Sequence, residues 1–200
     1  MLYIDTHITD FDLQEALAGV SPQRREQALR YRNELDQRLS VAAYRLLCRA
    51  LATEYGITEQ PLLAWREGGK PYLPHHPQVH FSISHCKEAV ACAVADVPVG
   101  VDVERVRPFN ESLARYVLSD EELQQVMKLP APDVAFIRLW TVKESLLKLT
   151  GEGIRSDLKT VLQHHQASFH TVVGGGGTFV CTQALPLWVE RGVAQGAAGV

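Results

Sequence analysis

The order of predicted elements occurs twice along the chain, and this repetition is the strongest constraint on the fold. In each half a short strand precedes helical segments, a long helix and further strands. The helix starts SPQRREQAL, from residue 21, and SDEELQQVM, from residue 119, are of the same kind. The sequence therefore predicts an α+β fold of two similar α/β halves related by a pseudo-two-fold axis, with the active site at their interface.

The two predicted halves join near Val97 and Pro98, which gives an N-terminal half over residues 1–97 and a C-terminal half over residues 98–200. The first half has a strand at MLYID, a helix from Ser21, a long helix over about 33–54 and strands around 62–65, 78–84 and 89–96. The second half has a strand at 98–104, helices near 110–117, 120–128 and 132–150, and strands near 158–164, 168–173 and 178–183. The last ten or so residues, RGVAQGAAGV, are small and weakly patterned, and we expect them to be flexible.

Composition limits the class of function. The 200 residues are 46% hydrophobic, enough for a substantial core, and a net charge of −3 gives no general attraction to nucleic acid or to an anionic membrane. The cysteines form no C-x-x-C pair, no apolar run approaches the roughly 18 residues of a membrane span, and the N-terminus is acidic where a signal peptide is basic. We therefore expect a cytoplasmic protein. Residues 20–50 carry seven arginines against three acidic residues, which predicts either a solvated helix face or a surface for phosphate or an acidic partner.

The strand GVDVE contains the first candidates for chemistry. Because side chains alternate along a strand, Val99, Val101 and Val103 should face the core, whereas Asp102 and Glu104 share the other face. Two carboxylates about 7 Å apart at their stems can bind one hard cation. Mg²⁺ suits such a pair because it keeps coordination positions for water and substrate phosphates. The alternative is a half-exposed strand whose acidic residues face solvent, and the motif alone does not exclude it.

The stretch FSISH, residues 81–85, offers groups that can bind phosphate. Ser82 and Ser84 share one strand face, and His85 follows at the strand end. Hydroxyl and imidazole groups in this position can donate to phosphate oxygens. Ordinary surface polarity explains the same residues equally well.

The stretch WTVKESLLK, residues 140–148, predicts an amphipathic helix. Its spacing puts Thr141, Glu144, Ser145 and Lys148 on one polar stripe. Taken alone, Glu144 and Lys148 are typical of a surface ion pair that stabilises a helix by roughly 0.2–0.5 kcal/mol. A catalytic role requires support from elsewhere in the chain.

Three other kinds of site are not supported by the sequence. A zinc site is disfavoured because Pro77 prevents the helix that would align the neighbouring histidines. The glycines at 174–177 lack the following lysine and helix start of a phosphate-binding loop and predict a hairpin turn. No G-x-S-x-G motif indicates a nucleophilic serine.

Together, in the order GKP, FSISH, GVDVE and LWTVKESLLKLTGEGI, these motifs resemble those of the 4′-phosphopantetheinyl transferases of the surfactin-synthetase-activating type. The strand motif of that family, Val/Ile-Gly-Val/Ile-Asp-x-Glu, corresponds to residues 99–104. Its helix motif, Trp/Phe-Ser/Thr/Cys-x-Lys-Glu-Ala/Ser-x-x-Lys, is matched at every fixed position of residues 140–148, and Gly151-x-Gly153 follows as expected. The resemblance covers most of the chain.

The resemblance implies transfer of the 4′-phosphopantetheine arm of coenzyme A to a serine of an apo acyl or peptidyl carrier protein. Mg²⁺ is the implied cofactor and adenosine 3′,5′-bisphosphate the implied second product. The implied Mg²⁺ ligands are Asp102, Glu104 and Glu144. The implied catalytic residues are Glu144, as general base, and Lys148, on the diphosphate. The implied contacts to coenzyme A are Arg24, Arg38, Lys70, Pro71, Ser84, His85 and Lys148.

Two rival functions are weighed against the transferase. A catalytically silent relative would bind carrier proteins or coenzyme A, but it would not need a base and a metal site together. Another Mg²⁺-dependent nucleotide hydrolase would need a water-activating group, which the sequence does not identify. The carrier remains open among fatty-acid, polyketide, siderophore and other peptide-synthetase carriers, and a monomer is expected because one chain supplies both halves of the cleft.

Overall fold

The computed structural model describes residues 1–153 and 157–189 of the chain, which form seven helices and eight strands. The helices are α1 (Leu13–Ala18), α2 (Pro22–Leu29), α3 (Glu34–Tyr55), α4 (Glu111–Val117), α5 (Asp120–Met127), α6 (Pro132–Thr150) and α7 (Val161–His164). The strands are β1 (Leu2–Asp5), β2 (Ala64–Trp65), β3 (Pro71–Tyr72), β4 (His80–His85), β5 (Val90–Ala95), β6 (Gly100–Arg105), β7 (Ala167–Gly174) and β8 (Phe179–Pro186). The predicted α+β class is confirmed. The tail RGVAQGAAGV, predicted to be flexible, lies outside the described residues.

Two three-stranded antiparallel sheets form the framework of the protein. Their strand orders are β1-β5-β4 and β6-β8-β7, and β2 pairs separately with β3. In both larger sheets the last strand of the half lies in the centre, between the first strand and its hairpin partner. The helix α3 packs across the first sheet and α6 across the second. No helix in the described ranges is long and apolar enough to cross a membrane.

Local sequence signals account for most helix boundaries. Ser21, Asn33 and Ser119 accept hydrogen bonds from backbone N–H groups in the first turns of α2, α3 and α5. The long helices α3 and α6 end at Gly56 and Gly151, whose φ angles of 66° and 80° are left-handed. Glycine adopts this conformation without the strain that a Cβ atom causes. The hairpin turn predicted at the glycine run is also present, between β7 and β8.

Three local predictions are wrong. Helix α1 was not predicted, although Asp12 caps it and Gly19 ends it. The sequence predicts a loop throughout GGKPYLPHHP, but this segment contains β3, in which Pro71 pairs with Trp65. The strand predicted near 158–164 contains α7, because apolar spacing in so short a segment fits either periodicity and local turn hydrogen bonds decide the outcome.

The polar stripe predicted for α6 is largely buried. Thr141 and Ser145 have no exposed surface, and the Thr141 hydroxyl lies 2.7 Å from that of Thr182 on β8. The neighbouring Lys143 is also fully buried, and its amine donates to Glu122 Oε2 at 2.6 Å and to two backbone carbonyls. Within the stripe, only Glu144 and Lys148 are partly exposed to solvent. Buried polar groups are stable here because each has a hydrogen-bond partner.

A close contact between α6 and β6 places the two family motifs against each other. A Cβ atom at Gly100 would overlap Ser145 O and would lie 2.5 Å from Leu149 N. Both neighbours are backbone atoms of a buried helix, so they cannot move aside as a flexible side chain would. The glycine of the strand motif is therefore required by packing.

We expect Gly100→Ala to lower the free energy of unfolding by about 1–3 kcal/mol or more, because the added methyl group must push α6 off the sheet. Urea unfolding followed by circular dichroism measures the change. The matched control is Gly19→Ala, whose Cβ would lie at an ordinary 3.5 Å from Glu15 O and should change stability by less than about 0.5 kcal/mol. Equal stability of both variants would show that this contact does not constrain α6.

Candidate active site

A cleft bordered by the β2–β3 hairpin, β4 and helices α2, α3 and α6 contains most of the residues that the sequence predicted for the site. One part of it, which we call the apolar compartment, has a volume of about 300 Å³. Its walls are residues 68–71, residues 81–83, the last two turns of α6 from Glu144, and Gly151 with Gly153. The second part, the cationic compartment, is of the same size and contains Arg24 and His85. Lys148 borders both compartments and therefore stands where they meet.

A three-residue network joins the motifs at the centre of the cleft. Ser84 Oγ donates to Asp102 Oδ1 at 2.9 Å, and Lys148 Nζ donates to the same oxygen at 2.7 Å. Lys148 Nζ also donates to Ser84 Oγ at 2.9 Å. Asp102 is almost fully buried, with 4% of its surface exposed. A buried carboxylate needs such partners, because its removal from water is otherwise costly.

The serines of FSISH connect the two sheets. The backbone N–H of Val101 donates to Ser82 Oγ at 3.0 Å, and Ser84 binds Asp102 on the same strand. The shared face predicted for Ser82 and Ser84 is therefore observed, but it points toward β6 and not toward solvent. Ser84 also lines the cationic compartment, where its hydroxyl accepts from Lys148 Nζ.

Burial and the nearby Asp102 shift the pKa of two carboxyl groups, those of Glu104 and Glu144. Burial, followed by the charge of Asp102, raises the pKa of Glu104 to about 7. The same two causes raise the pKa of Glu144, and the charge of Lys148 partly opposes them. A carboxylate with a raised pKa is the better proton acceptor, so Glu144 has the electrostatic setting of a general base.

Asp102 retains one oxygen that is available to a cation. The buried Oδ2 atom of Asp102 has no hydrogen-bond partner in the described chain. A cation there would satisfy this oxygen and relieve the repulsion among Asp102, Glu104 and Glu144. Across residues 1–153 and 157–189, no group of three or more His, Cys, Asp or Glu side chains is placed to hold a metal ion. Mg²⁺ needs only one or two protein carboxylates, because water and phosphate oxygens complete its shell.

The cationic compartment places positive charge beside this network. Arg24 is 6% exposed, stacks 5.0 Å from the centre of the Tyr44 ring and donates to Ser40 Oγ at 3.3 Å. The Nε atom of Arg24 is buried and lacks a hydrogen-bond partner within the described residues. Burial also lowers the pKa of Arg24. His85 stands at the rim, where desolvation and then the charge of Lys148 lower its pKa. The uncharged Gln27 also lines this compartment.

Two residues predicted to contact coenzyme A, Arg38 and Lys70, have charged groups that are already bound by other groups of the protein. Arg38 does not line either compartment: it pairs with Glu34 at 2.8 Å and donates to Phe11 O at 2.6 Å. Lys70 and Pro71 do line the apolar compartment, but the Lys70 amine already donates to two backbone carbonyls. Most arginines of the basic segment likewise have partners within the first half of the protein. These arginines are Arg25, Arg30, Arg38, Arg45 and Arg49.

Sequence reasoning missed several residues that shape the site. Tyr31 and Trp65 line the mouth of the cationic compartment with 39% and 48% of their surfaces exposed. The available signals were an aromatic residue within the basic segment, Tyr31, and another shortly before GGKP, Trp65. Lys143 appeared only as a motif position, since nothing in helical spacing shows that a lysine is fully buried.

Comparison with known proteins identifies one family. A profile described as the 4′-phosphopantetheinyl transferase superfamily matches residues 98–190. A Bacillus subtilis protein named 4′-phosphopantetheinyl transferase is 31% identical over 157 residues, which cover 76% of this chain and 70% of that protein. The psf-1 transferase of Bacillus pumilus is 33% identical, with 70% and 62% covered. The gsp transferase of Aneurinibacillus migulanus is 30% identical, with 76% and 62% covered.

The raised pKa of Glu104 predicts a pH-dependent stability. Between the ordinary value of 4.5 and the folded value of about 7, the folded chain holds a proton that the unfolded chain has lost. The contribution of Glu104 to the free energy of unfolding should therefore fall as pH rises through this window. Urea unfolding of the unaltered protein and of Glu104→Gln at about pH 5 and about pH 8 measures it, and the variant should gain relative stability at the higher pH.

The exposed Glu15 on α1 provides the control for this measurement. Glu15→Gln should keep the same stability difference from the unaltered protein at both pH values. Parallel behaviour of Glu104→Gln and Glu15→Gln would contradict the assignment of the shift to Glu104.

Proposed function

Since the chain belongs to the 4′-phosphopantetheinyl transferase superfamily, we propose that its cleft transfers the 4′-phosphopantetheine arm of coenzyme A to a serine of an apo acyl or peptidyl carrier protein. The observation that carries the assignment is the network of Ser84, Asp102 and Lys148, with Glu144 one helical turn from Lys148. Residues from three separate motifs meet there. Phosphoryl transfer depends mainly on positioning and charge neutralisation, and this arrangement supplies both.

The two compartments accommodate different parts of coenzyme A in this proposal. Arg24 and His85 bind the 3′-phosphate in the cationic compartment, with Ser84 beside them. Lys70 and Pro71 line the pocket for the nucleotide. Lys148 binds the diphosphate, which fits its position at the junction of the two compartments. Arg38 is left out of this set because its guanidinium is held by Glu34 and Phe11 O.

We assign Asp102, Glu104 and Glu144 to a Mg²⁺ ion. When bound, Mg²⁺ neutralises the diphosphate and polarises the phosphorus that is attacked. The buried Asp102 oxygen without a hydrogen-bond partner in the described chain and the mutual repulsion of the carboxylates support this assignment.

Glu144 acts as the general base in the proposed reaction. Its carboxylate takes the proton from the carrier serine hydroxyl, directly or through a water molecule. The serine oxygen then forms a bond to the phosphorus that carries the pantetheine arm, and the bond from that phosphorus to the bridging oxygen breaks. Adenosine 3′,5′-bisphosphate leaves with the electron pair. A serine hydroxyl is a weak nucleophile at neutral pH, which is why a base is required.

The proposal also covers the roles of the two halves, the oligomeric state and the location in the cell. Residues 1–97 supply the phosphate and nucleotide contacts, and residues 98–200 supply the metal ligands and the catalytic helix. The identical strand orders of the two larger sheets support a pseudo-two-fold relation between the halves. A monomer suffices because one chain lines the whole cleft, and unpaired cysteines support a cytoplasmic location.

A catalytically silent relative is the second candidate, and the site argues against it. A module that only binds carrier proteins or coenzyme A gains nothing from carboxylates held at raised pKa beside a lysine. Here Glu144 and Lys148 remain partly open to the cleft, whereas their neighbours in α6 are buried.

Transfer is tested by incubating the purified protein with coenzyme A, Mg²⁺ and each of several apo carrier proteins. We expect the intact mass of at least one carrier to increase by one phosphopantetheine group, and chelation of the metal to prevent the increase. Binding of coenzyme A without any mass increase on fatty-acid, polyketide, siderophore and other peptide-synthetase carriers would favour the silent relative.

We expect Glu144→Gln and Lys148→Ala each to lower turnover at least about a hundredfold, through loss of the base and of the charge on the diphosphate. Glu144→Gln should not lose stability, because burial and the charge of Asp102 already raise the pKa of Glu144 and disfavour its charged form. Lys148→Ala should lose some, because Asp102 then retains only Ser84 as a partner among the described residues. The exposed Glu111→Gln and Lys128→Ala are matched controls. Near-normal turnover of both cleft variants would place the site elsewhere.

A further inference from the structure

The amine of Lys70 crosses from the first half of the protein to the second. Lys70 lies in the hairpin of β2 and β3, immediately before Pro71. Its Nζ donates to Leu149 O at 2.9 Å and to Val99 O at 3.1 Å. Both acceptors belong to the C-terminal half, so one side chain joins the hairpin to two elements on the far side of the cleft.

The two acceptors belong to the elements that carry the proposed catalytic groups. Leu149 O is in the last turn of α6, where carbonyl groups have no partner within the helix and a cation is favourable. The same helix carries Glu144 and Lys148. Val99 O directly precedes β6, which carries Asp102. The Lys70 amine therefore fixes the end of α6 to the start of β6.

Glycines allow the hairpin to come this close to α6. A Cβ atom at Gly68 would overlap Gly151 O. A Cβ atom at Gly151 would lie 3.4 Å from Cδ of Lys70, so the lysine stem also packs along this glycine. The close contact with Gly151 therefore restricts the path of the Lys70 side chain toward its two acceptors.

We propose that Lys70 is a positioning residue, whose amine holds α6 and β6 in the register that brings Glu144 and Lys148 to Asp102. The proposal rests on the proposed transferase function and adds a role to the lining of the nucleotide pocket. Burial, with a smaller effect of Arg66, lowers the pKa of Lys70 to about 8, as expected for an amine enclosed by carbonyl groups. Charged or neutral, the amine has enough N–H groups to donate to both carbonyls.

The test replaces Lys70 by Met, which keeps the length of the side chain but removes the donor. We expect kcat to fall at least about tenfold, because small displacements of catalytic groups are costly. The KM for coenzyme A should change by less than about threefold, because the pocket walls remain. Lys70→Arg should recover at least half of the lost kcat, since its guanidinium can donate to the same carbonyls.

The matched control is Arg66→Met on the same hairpin. Arg66 stacks 5.1 Å from the centre of the Tyr72 ring within the hairpin, so this change should leave kcat unaltered. A raised KM with unaltered kcat in Lys70→Met would overturn the proposal in favour of a plain nucleotide contact. An equal loss of kcat in Arg66→Met would overturn it in favour of general loosening of the hairpin.

Hydrogen exchange gives a readout that does not depend on transferase activity. Lys70→Met should increase deuterium uptake in peptides covering residues 97–104 and 145–153, and Arg66→Met should not. If the unaltered protein transferred no phosphopantetheine while this pattern appeared, the proposed function would fail but the link across the cleft would stand. Unchanged deuterium uptake in Lys70→Met would contradict the proposed link between the hairpin and the C-terminal half.

Discussion

The direct contact of α6 with β6 over Gly100 is the constraint on which the rest of the site depends. With only a hydrogen atom in the way, the helix backbone rests on the strand backbone, closer than any side chain would allow. Glu144 and Lys148 then project from one turn of helix toward the carboxylates of β6. Two motifs about forty residues apart in sequence thus act on the same small volume without a flexible loop between the groups that meet.

Sequence periodicity correctly predicted which residues share one face of a strand or helix. It did not predict which other elements pack against that face. The burial of Val99, Val101 and Val103 followed from strand alternation, and the helix ends followed from capping residues and glycines. Thr141 and Ser145 were predicted on a polar stripe, and they are polar, but β8 and the helix itself provide their partners. The position of Arg38 was unpredictable for a related reason, since its nearest carbonyls lie in a segment far away in sequence.

The polar groups of the cleft have two kinds of partner, and this difference separates their roles. Ser82 and Lys143 each bind groups of neighbouring elements, so they fix geometry. Asp102 retains one buried oxygen without a partner in the described part of the chain, and Arg24 retains one such nitrogen. Unmet polar atoms are rare in protein interiors and are costly unless a ligand satisfies them. Two of the three such side-chain atoms among the described residues therefore belong to the site, and the third is Glu88 Oε2.

In each large sheet the central strand is the last of its half to be synthesised. β5 separates β1 from β4, and β8 separates β6 from β7, so neither sheet can assemble from its earlier strands alone. The pairing of Leu2 with Ala93 closes the first sheet across nearly its entire half. Such long-range closure is slow compared with the formation of hairpins and helices. During translation each half must therefore emerge almost whole before its sheet can close, and the cleft, one wall of which is α6 packed on the second sheet, is complete only after β8 has emerged.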